Sequence, residues 1–441
     1  VSDESRPEAP SDASSEAPAT ATSEPGSDGP KRKGTVARKH TVGRVIVISA
    51  VVLALITGLG VVYFVRHLNG NIEGISLDDL GGDEERPENL YTGNGEPLDI
   101  LVMGSDSRDC EGCGLDKEEG ARSDTSILVH LSADRSRAYA VSIPRDSIVN
   151  RPEDGCDAPA ATDVMWNEAF SVNGPKCTLR QLEEETGILV EHFIVIDFGS
   201  FGNMVDAVDG VPVCVPEDIV DRPRQIFVPK GDPSLLTGDE ALDYVRARYV
   251  GDQIEQNDIS RIRRQQEFIG ALVRKVLSAG TLTRPDKVVK LLDAATEGLT
   301  TDSEFDSVTR LGRIALQLQD IGLDKIKFVT LPTDYYPVDD PDFSGKVFWT
   351  EQADEIWKLL AEDKVLPPKL IGGTSVSAEG PPGSTETPTA GESPSGTPSE
   401  TPSETPSETP SETPTASETP APPTPSETTE PEEKPIFGVC A

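Results

Sequence analysis

From Val45 to Val65 the chain carries no charged side chain, and an uncharged run of 21 residues leaves few structural options. As a helix it is about 31 Å long at ~1.5 Å per residue, enough to cross the hydrocarbon of a bilayer. Core helices of water-soluble domains seldom lack charge over such a length, and a secretory leader has a shorter apolar stretch followed at once by a small-residue cleavage site. The run reads as a retained, single-pass membrane anchor. Lys31, Arg32, Lys33, Arg38, Lys39 and Arg44 precede it, whereas only Arg66 and His67 follow before Glu73, Asp78 and Asp79. The positive-inside rule therefore puts the N-terminus in the cytoplasm and everything beyond about residue 67 outside. Cys110, Cys113, Cys156, Cys177, Cys214 and Cys440 all follow the run, on the side where disulfides form.

Composition divides the rest. Residues 1–44 are a Ser/Glu/Pro/Ala tail with a basic juxtamembrane end, too poor in large apolar side chains to order itself. Residues 45–65 are the span and 66–95 are expected as a linker. Residues 96–365 read as one globular domain, and 366–441 as a Pro/Ser/Thr/Glu-rich extracellular tail with Ser-Glu-Thr-Pro four times in succession from Ser399 to Pro414. A proline every four residues among repelling glutamates favours extended, polyproline-like chain, hence a spacer or stalk. Over all 441 residues, 77 acidic against 40 basic side chains give a net charge of −37, which excludes nonspecific embrace of nucleic acid.

Within 96–365, short β-rich runs at Leu98–Met103, Thr125–Leu131, Arg137–Ile143, His192–Ile196, Val211–Val215 and Lys325–Leu331 interleave with helical spacing at 178–186, 238–249, 258–279, 287–299 and 306–320. The alternation predicts an α/β fold, a single α-β-α layered domain around a central mixed sheet.

Three polar clusters fall where strands end. Gly104-Ser-Asp106-Ser-Arg108 follows one strand and Arg122-Ser-Asp124-Thr opens the next, so Asp106, Arg108, Arg122 and Asp124 are expected at neighbouring strand tips, where carboxylates can hold a hard divalent cation. Ser142-Ile-Pro-Arg145-Asp146 ends another strand. Arg246-Ala-Arg248 is expected on a helix, and Asp258, Arg261 and Arg264 recur at three-residue spacing on the next, followed by Gln265. Any one such pair is ordinarily a solvated ion pair. Together, guanidinium forks and a carboxylate-held Mg²⁺ are what neutralising a diphosphate requires.

In this order, together with Val205-Asp-Ala-Val-Asp-Gly-Val211 and Gly238-Asp-Glu-Ala-Leu-Asp-Tyr-Val-Arg-Ala-Arg248, the motifs make the chain resemble the LytR-CpsA-Psr family of bacterial envelope proteins from about Asp99 to Gln266. The resemblance implies an enzyme that moves a glycopolymer from a polyprenyl-diphosphate carrier to peptidoglycan through a phosphodiester, at the 6-hydroxyl of N-acetylmuramic acid. Carried over, Asp106 and Asp124 would hold Mg²⁺. Arg108, Arg122, Arg145, Arg246 and Arg248 would contact the diphosphate, with Arg122, Arg145, Arg246 and Arg248 stabilising charge and Arg264 and Gln265 in support. It also implies an apolar pocket for the prenyl chain, which the helix Ile259–Leu277 is placed to line. Two features depart from the pattern. An insertion with Cys110-Glu-Gly-Cys113 separates Asp106 from Asp124, and the family's lysine two residues before the Asn-x-Ala element is Met165 before Asn167. With no second Cys-x-x-Cys, Cys110 and Cys113 read as a local disulfide rather than a zinc site. The remaining cysteines allow Cys156 to pair with Cys177, leaving Cys214 and Cys440 unassigned.

Two other readings share much of this pattern: a non-enzymatic wall-binding or tethering protein, and a pyrophosphatase acting on the same lipid diphosphate. Metal-type carboxylates beside several arginines exceed what glycan docking needs, and a site that positions and stabilises charge suffices for phosphoryl transfer without a nucleophilic triad. Transcriptional attenuation would need cytoplasmic contact with DNA, which outward topology and acidity exclude.

Overall fold

A computed structural model describes residues 39–77, 86–105, 123–248, 258–371 and 375–377. The chain divides into two compact units, one ending at Val61 and the other beginning at Val62. In the first unit the helix that starts at Lys39 exposes its apolar side chains, Leu53 and Leu59 among them. The stretch Val42–Asn71, which contains the uncharged run, is long and apolar enough to cross a membrane.

The second unit is built on an eight-stranded mixed sheet. In spatial order its strands are Glu73–Ile75, Leu299–Asp302, His192–Asp197, Leu98–Ser105, Ser123–Leu131, Ala138–Ile143, Ile326–Thr330 and Ser375–Ser377. Leu98–Ser105 runs parallel to His192–Asp197 and antiparallel to Ser123–Leu131, and Ala138–Ile143 is parallel to Ile326–Thr330. Side chains alternate across the pleat. Leu101 and Met103 join Leu128, Val141 and Phe193 in a core that also holds Leu179 and Leu182 of the helix Glu168–Thr186 and Ile356, Trp357 and Leu360 of Glu351–Ala361. On the opposite face Ile127, Ala140 and Phe328 pack with Ile321, and Ile269 and Leu318 of the helices Asp258–Leu277 and Val308–Ile321 lie against them. The architecture is the three-layer α/β arrangement that the sequence predicts. A third cluster, with Val205, Val213, Val228, Tyr244 and Phe268, sits under two small hairpins at one side of the sheet.

Several boundaries differ from expectation. The residues expected as linker contribute to the folded unit: Leu68 and Ile72 are buried, and Glu73–Ile75 forms the edge strand beside Leu299–Asp302. A strand of three residues is too short to show alternation. Arg86, further along the same stretch, donates from Nε and Nη2 to the buried Glu183 carboxylate. The helix expected over 238–249 stops at Arg246, because Ala247 turns to an extended ψ of 135°. Cys156 and Cys177 form the expected disulfide, joining the loop after Ile148–Arg151 to the helix Glu168–Thr186. Cys214 is disulfide-bonded as well. Cys110, Cys113 and Cys440 lie outside the described residues.

Candidate functional site: an arginine-lined apolar cavity

A cavity of about 410 Å³ opens at the end of the sheet where Leu98–Ser105 finishes and Ser123–Leu131 begins. Its floor is apolar: Val102, Met103 and Gly104 from the first strand, Thr125 and Ile127 from the second, and Ile196 from the third. One wall is the helix Phe198–Ala207, contributing Phe198, Phe201 and Met204, which Asp197 caps by accepting the Ser200 amide at 2.9 Å. The facing wall is Asp258–Leu277, through Ile269 and Leu272. Four arginines, Arg224, Arg246, Arg248 and Arg261, complete the lining with Gln265 and Asp243. An apolar cavity lined also by guanidinium groups suits one kind of ligand, a hydrocarbon chain with an anionic head.

Arg246 and Arg248 reach the same cavity because the helix Gly238–Arg246 breaks between them. The capping box of Thr237 and Glu240 fixes where that helix begins. Arg246 lies over the Phe198 ring, its guanidinium carbon 4.2 Å from the ring centroid, a cation–π contact in a partly dry setting. The carbonyls on either side of the break have side-chain donors: Gln265 Nε2 donates to Val245 O at 3.3 Å and Arg264 Nη2 donates to Ala247 O. Arg264 is 1% exposed and does not line the cavity, so it acts on the backbone that carries the two arginines; Gln265 does this and also faces the cavity. Arg261, one turn earlier on the same face, lines the cavity directly.

Arg145 stands just beyond the strand Ala138–Ile143 and is not among the cavity-lining side chains. It is at the same end of the sheet, since Ile143 pairs with Ser126 and Thr125 with Gly104. Its Nε is 3.4 Å from Asp146 Oδ2, and Lys346 Nζ is 3.4 Å from the other oxygen of that carboxylate. The same ammonium group reaches Met165 Sδ at 2.9 Å. A lysine from a distant part of the chain thus occupies the neighbourhood of the position where the family motif has its own.

Asp124 is the extra residue of a β-bulge, since Gly104 pairs with Thr125 and Ser105 with Ser123; its side chain lies outside the described residues. Asp106, Arg108 and Arg122 also lie outside them. Among the described residues no group of three His, Cys, Asp or Glu side chains is arranged to hold a metal ion.

Phe198 and Arg224 carry no distinct sequence signal, and Asp243 only its place in the Gly238–Arg248 motif. Phe198 reads as an ordinary core aromatic. Arg224 sits in Asp221-Arg-Pro-Arg224, which reads as a surface turn. Asp243 precedes Arg246 by three helical positions, a spacing that places the two on one face. Burial pushes the Asp243 carboxyl above its ordinary range, against the pull of Arg246.

The model described as the LytR_cpsA_psr family matches residues 68–364. The chain belongs to the LytR_cpsA_psr family. Among its relatives, the cell wall biosynthesis protein LcpA of Corynebacterium glutamicum is 31% identical over 327 residues, covering 66% of this chain and 60% of LcpA. The polyisoprenyl-teichoic acid–peptidoglycan teichoic acid transferase TagV of Bacillus subtilis is 27% identical over 252 residues, 56% of this chain and 61% of TagV. The match spans about three fifths of the length of both relatives. The crystal structure of B. subtilis TagV covers 62% of this chain and 100% of its own at a TM-score of 0.47 and 24% identity.

Proposed function

We propose that this LytR_cpsA_psr protein is a membrane-anchored phosphotransferase, which moves a glycopolymer from a polyprenyl-diphosphate carrier to a hydroxyl of peptidoglycan on the outer side of the membrane. The observation that carries the reading is the cavity itself, in which an apolar trough and four arginines share one enclosure. The names borne by LcpA and TagV point the same way.

In the reaction the acceptor hydroxyl oxygen attacks the phosphorus that bears the glycan. The bridging P–O bond breaks, polyprenyl phosphate leaves with its electron pair, and the hydroxyl proton passes to solvent or to a neighbouring base. The apolar walls hold the first isoprene units of the carrier, and Arg246 and Arg248 meet the diphosphate at the mouth of the trough. Their task is to stabilise negative charge as it moves onto the departing phosphate, in a site where low dielectric strengthens each contact. Arg145 serves from the adjoining strand tip, with Arg108 and Arg122 in the sequence between Leu98–Ser105 and Ser123–Leu131. The cation of choice is Mg²⁺, because Asp106 and Asp124 are hard oxygen donors and substrate phosphates can complete its shell. Those two carboxylates would hold it, and it would supply further neutralisation of the diphosphate.

The test is to incubate the full chain in detergent micelles with a prenyl-diphosphate-linked glycan, Mg²⁺ and muropeptides, then separate products by mass. The expected products are polyprenyl phosphate and a glycan–phosphate–muropeptide in equal amount. Free glycan phosphate without muropeptide would mean a pyrophosphatase, and unchanged substrate held on the protein would mean a tethering module.

A further inference from the structure

Beyond the arginines carried by the sequence motifs, we infer that Arg224 binds the same anionic head group and that the buried carboxylate of Asp221 is the positioning residue that couples it to Arg248. The inference rests on the diphosphate reading above. It begins with a turn that the sequence fixes tightly. The strands Ile219–Asp221 and Ile226–Val228 pair antiparallel, with Asp221 opposite Ile226. Between them Arg222–Arg224 makes one 3₁₀ turn with Pro223 inside it, and Gln225 takes a left-handed φ of 59° to re-enter the second strand. Asp221 Oδ1 accepts the Arg224 amide at 3.3 Å, which pins the turn.

The other oxygen of that carboxylate does something a turn does not need. Asp221 Oδ2 accepts from Arg224 Nη1 at 3.1 Å and from the backbone amide of Arg248 at 2.9 Å. One oxygen thereby ties the side chain of one cavity arginine to the main chain of another, 24 residues later in sequence. Asp221 is 0% exposed, so this is not a solvated surface pair. A carboxylate withdrawn from water requires fixed donors, and here it has a guanidinium and two amides. Arg222, two residues earlier, shows the contrast: it is exposed, while Arg224 is half-buried and lines the cavity next to Ile226.

A guanidinium has five N–H donors, and Asp221 takes one of Arg224's. Among the described residues Arg224 bonds no other side chain. Arg224, Arg246, Arg248 and Arg261 line one apolar space in which Asp243 is the one carboxylate among the described lining residues, and so many guanidinium groups there favour a ligand that brings negative charge. A diphosphate supplies that charge, and Arg224 offers it a fork whose direction Asp221 has already set. Ile226, on the same hairpin, lines the same space, so one hairpin offers both a guanidinium and an apolar side chain to an amphipathic ligand.

The experiment is isothermal titration calorimetry of the full chain in detergent micelles with geranylgeranyl diphosphate and, separately, with geranylgeraniol. The variants are R224Q, R224K, D221N and the double D221N/R224Q, each checked for folding by its melting profile. Expected are a wild type that binds both probes, an R224Q that loses about tenfold or more toward the diphosphate while holding the alcohol, and an R224K that falls between, charge kept but fork lost. D221N should weaken the diphosphate at least as much as R224Q and spare the alcohol, and the double variant should be little worse than D221N. A collapse of the cavity would lose both probes together. Diphosphate affinity of R224Q within twofold of a binding wild type overturns this inference alone. A wild type that binds the alcohol but gains nothing from the diphosphate overturns the diphosphate reading and this inference with it. Should D221N fail to fold, R224Q and R224K decide.

Discussion

His130 lies at the end of the sheet remote from the cavity, where it is 0% exposed and placed between two carboxylates. Its Nδ1 is 2.9 Å from Asp99 Oδ1 on the neighbouring strand and its Nε2 is 3.3 Å from Asp363 Oδ1 beyond the helix Glu351–Ala361. Both ring nitrogens face acceptors, so both must donate, which only the imidazolium can do. Burial opposes that charge, yet Asp99 and Asp363 outweigh it and hold the pKa up to about 9. Asp363 in turn accepts from Arg137 Nη2 at 2.6 Å and from the Ala133 amide at 3.0 Å, and Glu191 accepts the Asp99 amide at 2.8 Å. A histidine whose folded pKa exceeds its unfolded value of about 6.5 stabilises fully below pH 6.5, and the contribution is lost as pH rises through about 9. At ~1.4 kcal/mol per unit the loss is about 3 kcal/mol across that window. Glu191, raised by burial and by Asp99, acts with the same sign, because a carboxyl whose folded pKa is raised also favours the fold at low pH. His130→Gln leaves the buried Asp99 without its imidazolium partner and Asp363 with Arg137 alone, at a cost of about 3 to 5 kcal/mol at pH 7. Melting followed by circular dichroism from pH 6 to 9.5 should show a wild-type midpoint that declines with pH and a variant that starts roughly 10 °C lower and declines less. The site lies about five residues away along the strand, roughly 17 Å, so prenyl-diphosphate binding by the folded variant should be unchanged. A variant melting within 2 °C of wild type at pH 7, with the same slope against pH, would refute the reasoning.

Three further outcomes follow from the cavity. Arg248→Lys keeps the charge and loses the planar fork, so transfer should fall roughly 10²-fold or more with the melting temperature unmoved; a surface ion pair would show little change in either. Phe198→Leu keeps apolar volume and removes the ring under Arg246, so carrier affinity should drop about two- to fivefold, and Phe198→Tyr should restore it. Asp124→Ala should abolish turnover that depends on added Mg²⁺, measured as transfer rate against Mg²⁺ concentration, and full activity of the variant in excess chelator would exclude a carboxylate-held ion there.

The central strands are legible in the sequence because each is a buried apolar run bounded by polar turns: Leu98–Ser105, Ser123–Leu131 and Ala138–Ile143 begin and end within two residues of the expected positions. Helices with a wide apolar stripe, such as Asp258–Leu277, are equally plain. What the sequence hides is of another kind. Phe198–Ala207 contains two glycines and several small residues, so its helical period is faint, and the cap that starts it is an aspartate at the end of a strand. Of the paired strands at 211–236 only Val211–Val215 is expected from the sequence; Ile219–Asp221 and Ile226–Val228 are three residues each, giving alternation no length in which to appear, and Gly231–Leu236 is interrupted by a proline. Of the arginines, Arg246, Arg248 and Arg261 are reachable through motif and spacing. Arg224 is not, because its place in the cavity depends on Asp221 meeting the Arg248 amide, a contact between segments that sequence order keeps apart.

The Arg-x-Arg element also shows why spacing alone underdetermines a site. In an uninterrupted helix two residues apart are separated by about 200° of rotation, so Arg246 and Arg248 would point to opposite sides. In extended chain, residues two apart share a side. The helix ends at Arg246 and Ala247 is extended, so Ala247 turns into the core while both arginines face the cavity. That break is held from three directions: Gln265 on the carbonyl of Val245, Arg264 on the carbonyl of Ala247, and Asp221 on the amide of Arg248. Backbone groups freed by ending a helix inside a protein must find partners, and here the partners are side chains of the same cluster that would meet the substrate. The arginine next to glutamine on the helix Asp258–Leu277 therefore belongs to the site without lining it. It donates to the main chain at Ala247, and so helps to hold the break that brings Arg246 and Arg248 to one cavity.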